Sequence, residues 1–255
     1  MKLSKKEIFE FLELKHDQYN QPSFIDSDPI SIPHLFKKKQ DIEIACFLTA
    51  TISWGNRKSI IINARKLIQM MDDDPHSFIM GASEYDLLPF RKFVHRTFNG
   101  EDCIFFLQSL KNIFTKIESM EVLFMPVNNI GMNQAIGHFR KEFLSTPHLK
   151  RSEKHLSDPM TGSAAKRINM FLRWMVRNDK RGVDFGLWKR ISTADLFCPL
   201  DVHSGNVARK LGLLNRKAND WKAVEELTSS LRLFDPDDPV KYDFALFGLG
   251  VFERF

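Results

Sequence analysis

Asp201 and His203 stand two positions apart in the stretch Pro199-Leu200-Asp201-Val202-His203-Ser204. Val207, Leu211 and Leu214 follow at helical spacing, so Asp201 reads as the N-cap of a helix with one buried apolar face. Its carboxylate would accept the orphan amide protons of the first turn. A carboxylate so fixed, with an imidazole two positions on, is either a plain cap or a preorganised catalytic acid; this stretch alone admits both. A second chemical stretch lies upstream, Asp158-Pro159-Met160-Thr161-Gly162-Ser163-Ala164-Ala165-Lys166. There a Pro/Gly turn feeds a helix, and its free amides, around Gly162 and Ser163, would suit a phosphate. Lys166, Arg173 and Arg177 fall on one face of that helix. The stripe either snorkels to solvent or lines a cleft for an anionic ligand. A third stretch, Trp54-Gly55-Asn56-Arg57-Lys58, is a polar, basic, aromatic turn between apolar helices. It is either a helix connection with one packed Trp or a wedge on nucleic acid, with Arg57 and Lys58 on phosphates.

The elements that must position these residues read as helices throughout. Apolar periodicity predicts helices over 3–16, from Asp41 to about Leu48, and over Ile60–Met71. Further helices are expected at 84–95, 101–119 and 131–145, then from Lys166 towards Arg177, with a short one over Val183–Ile191. Helices at Trp221–Leu231 and Tyr242–Val251 complete the chain, and 147–157 reads as a surface loop. Strand-like alternation is scarce. His95 and His138 have no partner at metal-ligand spacing.

A chain of 255 residues suffices for one large domain or two small ones. Its 43% hydrophobic and 27% charged residues are those of an ordinary globular protein. Three cysteines (Cys46, Cys103, Cys198) lie far apart with no CxxC pair, which excludes a Cys₄ iron–sulfur cluster or a zinc finger built from this chain. No apolar run reaches membrane-spanning length, and MKLSKKEIFEFLELKH reads as an amphipathic helix rather than a signal peptide. A cytoplasmic location is expected. The net charge of +5 and pI near 9.0 make an anionic partner plausible without identifying it. No Walker A or dinucleotide-binding glycine pattern and no internal repeat occurs.

In their order, these stretches resemble the helix-hairpin-helix DNA glycosylase superfamily of endonuclease III and the 8-oxoguanine glycosylases. More closely, the chain is similar to a bacterial family of unknown function at the edge of that superfamily. Ile44–Arg57 (IACFLTATISWGNR) is similar to the early helix and polar turn that meet DNA. Met160-Thr161-Gly162-Ser163-Ala164-Ala165-Lys166 stands where the superfamily has its Leu-Pro-Gly-Val-Gly hairpin, followed by the lysine nucleophile of bifunctional members. Leu200-Asp201-Val202-His203 is similar to the Val-Asp-Thr-His helix start that carries the catalytic Asp. The likeness covers roughly 40–250. The chain departs from it at Ala164 in place of the second hairpin glycine, in a longer segment between Lys166 and Asp201, and in lacking the cysteine cluster of endonuclease III.

The resemblance implies an all-α fold of two helical domains, 36–192 and 1–35 plus 193–255, with a helix-hairpin-helix element and a cleft between them. It implies a base-excision DNA glycosylase, with abasic-site lyase chemistry if Lys166 is the amine. Asp201 and Lys166 would be catalytic. Trp54, Asn56, Arg57, Lys58, Gly162, Ser163, Arg173, His203 and Arg209 would contact duplex DNA bearing a damaged or abasic nucleotide. No metal or cofactor is expected, nor a membrane; a nucleoid-associated monomer is. Two other readings stay open: a non-catalytic nucleic-acid-binding protein of the same fold, and a helical protein-interaction domain.

Overall fold

The computed structural model describes residues 3–125 and 131–255, so Met1 and Lys2 of the expected N-terminal helical stretch lie outside the described residues. Among the described residues the chain is all-α, with no strand. Its helices are α1 (Lys5–Tyr19), α2 (Lys39–Thr51), α3 (Arg57–Gln69), α4 (Pro75–Gly81), α5 (Glu84–Leu87) and α6 (Gly100–Phe114). They continue as α7 (Glu121–Phe124), α8 (Met132–Phe143), α9 (Lys166–Val176), α10 (Val202–Lys210), α11 (Trp221–Arg232) and α12 (Tyr242–Val251). No helix is long and apolar enough to cross a membrane.

Helix α2 is buried on all sides from Asp41 to Thr51, and Ile42, Ile44, Ala45, Phe47 and Leu48 make most of it apolar. It packs against α9, and its Phe47 ring lies 5.2 Å from Phe143 and 5.6 Å from Phe171, centroid to centroid. Much of the heavy Phe usage is spent in this aromatic cluster. A buried carboxylate ties it to distant chain: Glu43 accepts hydrogen bonds from Met120 N (2.8 Å) and Trp188 Nε1 (2.8 Å). Helix α12 forms a second hub, packing on both α1 and α10. Its glycines permit the approach. A Cβ at Gly248 would stand 2.1 Å from the Tyr19 ring, and one at Gly250 would stand 3.1 Å from Cβ of His203.

Two expected helices are corrected. Residues 84–95 split into α5 and a 3₁₀ turn over Leu88–Lys92, where Pro89 withholds a donor from a continuous helix. His95 lies beyond it, paired with Phe98 in an isolated bridge. Val183–Ile191 is not helical. Gly182 and Gly186 take positive φ of 72° and 55°. The segment's amides instead satisfy the last carbonyls of α9: Phe185 N bonds Trp174 O (2.8 Å) and Trp188 N bonds Met175 O (2.9 Å). The expected surface loop at 147–157 carries a 3₁₀ turn, Lys150–His155, whose Ser152 and His155 are buried. Both bond the buried Asp102 carboxylate, at 2.6 and 3.1 Å. Burial holds the His155 imidazole down at about 4, so it stays neutral as it packs beside Trp54.

Candidate active site

A cavity of about 710 Å³ is lined by parts of five stretches, at 24–29, 53–60, 166–174, 199–204 and 243–251. Lys166 and Asp201 meet in it. Lys166 Nζ lies 3.9 Å from Asp201 Oδ2, both side chains being about a quarter exposed.

Local chemistry fixes each of them. Asp201 is the N-cap of α10, its Oδ1 accepting from His203 N (2.8 Å) and Ser204 N (3.0 Å), while its own amide donates to Ser204 Oγ. Oδ1 therefore caps the helix and Oδ2 faces the lysine, so the two readings of this carboxylate are not exclusive. Lys166 opens α9 directly after Ala165, which holds the left-handed conformation at φ 46°, ψ 36°. That conformation is uncommon for a residue with a Cβ and marks the point where the chain is turned to aim Lys166 into the cavity.

The expected cationic stripe is corrected. Arg173 and Arg177 neither snorkel nor wait for phosphate, because buried carboxylates already neutralise them. Arg173 pairs with Asp184 (3.3 Å) and with Asp243, and its guanidinium lies over the Phe244 ring. Arg177 pairs with Asp179 (2.7 Å), Asp184 (3.1 Å) and Asp238 (2.8 Å). Removing one partner of such a cluster strands the others. Arg177→Met should therefore lower unfolding free energy by about 3–5 kcal/mol in urea titrations; a loss under about 1 kcal/mol would show that the cluster is not energetically coupled.

Arg209, also expected among the DNA contacts, does not line the cavity. Its guanidinium clamps the loop after α10, donating to Arg216 O (2.8 Å), Lys217 O (2.9 Å) and Asn219 Oδ1 (2.6 Å). The hairpin amides are likewise spent internally: Gly162 N bonds Pro159 O and Ser163 N bonds Asp158 O. Gly162 O accepts from Trp221 N, which docks the turn on α11. Neither Gly162 nor Ser163 lines the cavity.

The remaining expected residues cluster at the cavity. Trp54, Asn56, Arg57 and His203 line it, and Lys58 is exposed beside it at the start of α3. Asn56 caps α3 through Ser59 N (3.2 Å). Arg57 lies over the Phe247 and Phe252 rings, at 4.7 and 5.3 Å from their centroids. Sequence reasoning missed Arg167, Asp28 and Asp243. Arg167 lies 4.8 Å over the Trp54 ring and bonds Thr51 O, fixing the Trp; burial brings it down to about 10. Asp243 is pushed up to about 6 by burial, against the opposing pull of Arg173. Among the described residues, no group of three or more His, Cys, Asp or Glu is placed to hold a metal ion.

Residues 28–252 match a family described as a protein of unknown function (DUF2400). The chain belongs to that family. The matched span of this DUF2400 member takes in Asp28, Lys166, Asp201 and Asp243 of the cavity wall. No curated protein and no solved structure matches the chain.

Proposed function

We propose that this protein is a DNA glycosylase of the helix-hairpin-helix type, acting on a base flipped into the cavity, with lyase chemistry at Lys166. One observation carries the reading: an amine and a carboxylate, 35 residues apart in sequence, meet at 3.9 Å in a cavity large enough for a nucleoside. Nothing in packing requires that pair, since both side chains are partly exposed.

The chemistry runs as follows. Asp201 Oδ2 accepts a proton from the Lys166 ammonium and releases it to solvent, which leaves a neutral amine beside a charged carboxylate. The neutral amine attacks C1′, and the bond from C1′ to the base breaks with its electron pair leaving on the base. Positive charge that develops on the sugar is stabilised by the Asp201 carboxylate, whose position the helix cap has already fixed. The base leaves with a proton taken from solvent. The secondary ammonium so formed gives a proton to Asp201, which passes it to the ring oxygen O4′ as the C1′–O4′ bond breaks to leave the Schiff base. Loss of a C2′ proton to water then expels the 3′ phosphate. A flipped base must first leave the stack; Trp54, fixed by Arg167, supplies a rigid aromatic edge beside the cavity.

Cytoplasmic, monomeric action on duplex DNA belongs to the same proposal. With Arg173 and Arg209 satisfied internally, Arg57 and Lys58 are the named phosphate contacts. Two contacts give a slope of log affinity against log salt of about −1.8. Duplex affinity should fall about 10-fold between about 50 and 200 mM salt, as measured by fluorescence anisotropy. A flat response would remove the electrostatic DNA-binding role. Turnover on a panel of damaged duplexes then tests the chemistry. Binding without turnover favours a non-catalytic nucleic-acid-binding protein, and absence of binding favours a protein-interaction domain.

A further inference from the structure

Asp28 is a buried carboxylate in the cavity wall that the chemistry above does not use. It is 7% exposed. Its Oδ1 accepts one hydrogen bond, from Ile30 N at 3.1 Å, which closes the 3₁₀ turn Pro29–Ser31 and fixes the side chain. No ion pair within 4.0 Å involves it among the described residues, although Arg57, Arg173 and Lys166 act on it at longer range. Its Oδ2 takes no hydrogen bond from a described residue and is not sealed from the cavity. Burial raises its carboxyl above the ordinary value, and outweighs the hydrogen bond from Ile30 N and the more distant cations.

Three phenylalanine rings share the cavity wall with Asp28 and with the cations Arg57, Lys166 and Arg173. Phe24 stands edge-on to Phe244 at 5.3 Å and to Phe247 at 6.1 Å, and all three line the same cavity as Asp28. A cavity wall that sets these rings beside a buried, fixed carboxylate, whose Oδ2 is free among the described residues and whose Oδ1 keeps a second lone pair, suits a flat heterocycle that presents two adjacent N–H donors. Among neutral bases only the guanine edge does so, through N1–H and the 2-amino group. Adenine and cytosine set a ring acceptor beside their amino group, and uracil and thymine flank one N–H with carbonyls.

We propose that Asp28 reads the N1–H and 2-amino edge of a guanine-type base held in the cavity. The inference rests on the cavity being a base pocket, and it selects the substrate class within that reading. A carboxylate that accepts two N–H bonds loses one of them when the 2-amino group is absent. A lost hydrogen bond to a charged group corresponds to about 10- to 100-fold in affinity.

The test is titration of the full chain with 9-methylguanine, 9-methylhypoxanthine and 9-methyladenine, followed by tryptophan fluorescence and calorimetry. Wild type should bind 9-methylguanine at least about 10-fold tighter than the other two. Asp28→Asn keeps an acceptor for Ile30 N but replaces Oδ2 with an amide donor, and should erase that preference. Equal affinity for the three purines, or no binding of 9-methylguanine up to its solubility, overturns the proposal. So does a preference that survives Asp28→Asn. Should the variant fail to fold by circular dichroism, the wild-type comparison decides alone. A duplex carrying a tetrahydrofuran abasic analogue reports separately on the DNA reading. It holds no base, so its loss of binding would sink the glycosylase proposal, whereas its tight binding alongside indifferent purine binding would sink only the role of Asp28.

Discussion

Asp201→Asn should cut base release from a damaged duplex by about 100- to 1,000-fold while leaving the fold nearly as stable as wild type. The separation follows from the division of labour between the two carboxylate oxygens. Oδ1 takes the amides of His203 and Ser204, and the carbonyl oxygen of an asparagine can take the same two. Asn and Asp are near-equal caps. Oδ2, which faces Lys166, becomes an amide that can neither accept the ammonium proton nor offset positive charge on the sugar. Single-turnover kinetics and urea unfolding on the same sample measure both effects. Wild-type turnover in the Asn variant would leave Asp201 as a helix cap and nothing more. A loss of activity matched by a comparable loss of stability would also deny the division.

The Asp201 cap and the helix start at Lys166 were legible because their determinants are local. A cap needs an Asp before an apolar-periodic run, and a Pro/Gly turn announces the start of α9. The bounds of α12 were legible for the same reason, since its apolar run is flanked by Pro239 and by the charged tail from Glu253. Arg173 and Arg177 were not. Whether a cation on an apolar helix is paired depends on Asp184, Asp238 and Asp243, up to 70 residues away, and periodicity carries no such information. Val183–Ile191 has apolar spacing that suits a helix, yet its amides are worth more on the carbonyls of α9. Tertiary hydrogen bonds overrode propensity there.

The cavity wall shows the same limit. Asp28 sits in a Pro-rich loop, where an Asp before Pro29 reads as an ordinary turn residue, and it is one. Only the fold, which brings Phe24, Phe244 and Phe247 to the same cavity wall, turns the same residue into part of a pocket. Asp243 did carry a signal. It is the sole charged residue in α12, and a charge inside an apolar helix requires a partner. The partner, Arg173, could not be named without the fold.

Lys166→Ala should abolish covalent capture of abasic-site DNA by borohydride and leave duplex binding almost intact. Alanine is the strongest helix former, and the partly exposed lysine buries little, so α9 and its packing on α2 should persist. The lost charge removes at most one phosphate contact, a change of about 0.9 in the salt slope. The proposed chemistry, by contrast, loses the amine that stands 3.9 Å from Asp201, and without that amine there is no Schiff base for the hydride to reduce.

This trapping experiment bears most directly on the claim that Lys166 and Asp201 form one catalytic pair. Wild type and Lys166→Ala are incubated with an abasic duplex and borohydride, and the adduct is located by peptide mass spectrometry. The expected result is a reduced adduct on Lys166 in wild type and none in the variant. An adduct of equal yield in Lys166→Ala, or one mapped to a different amine, would contradict the account.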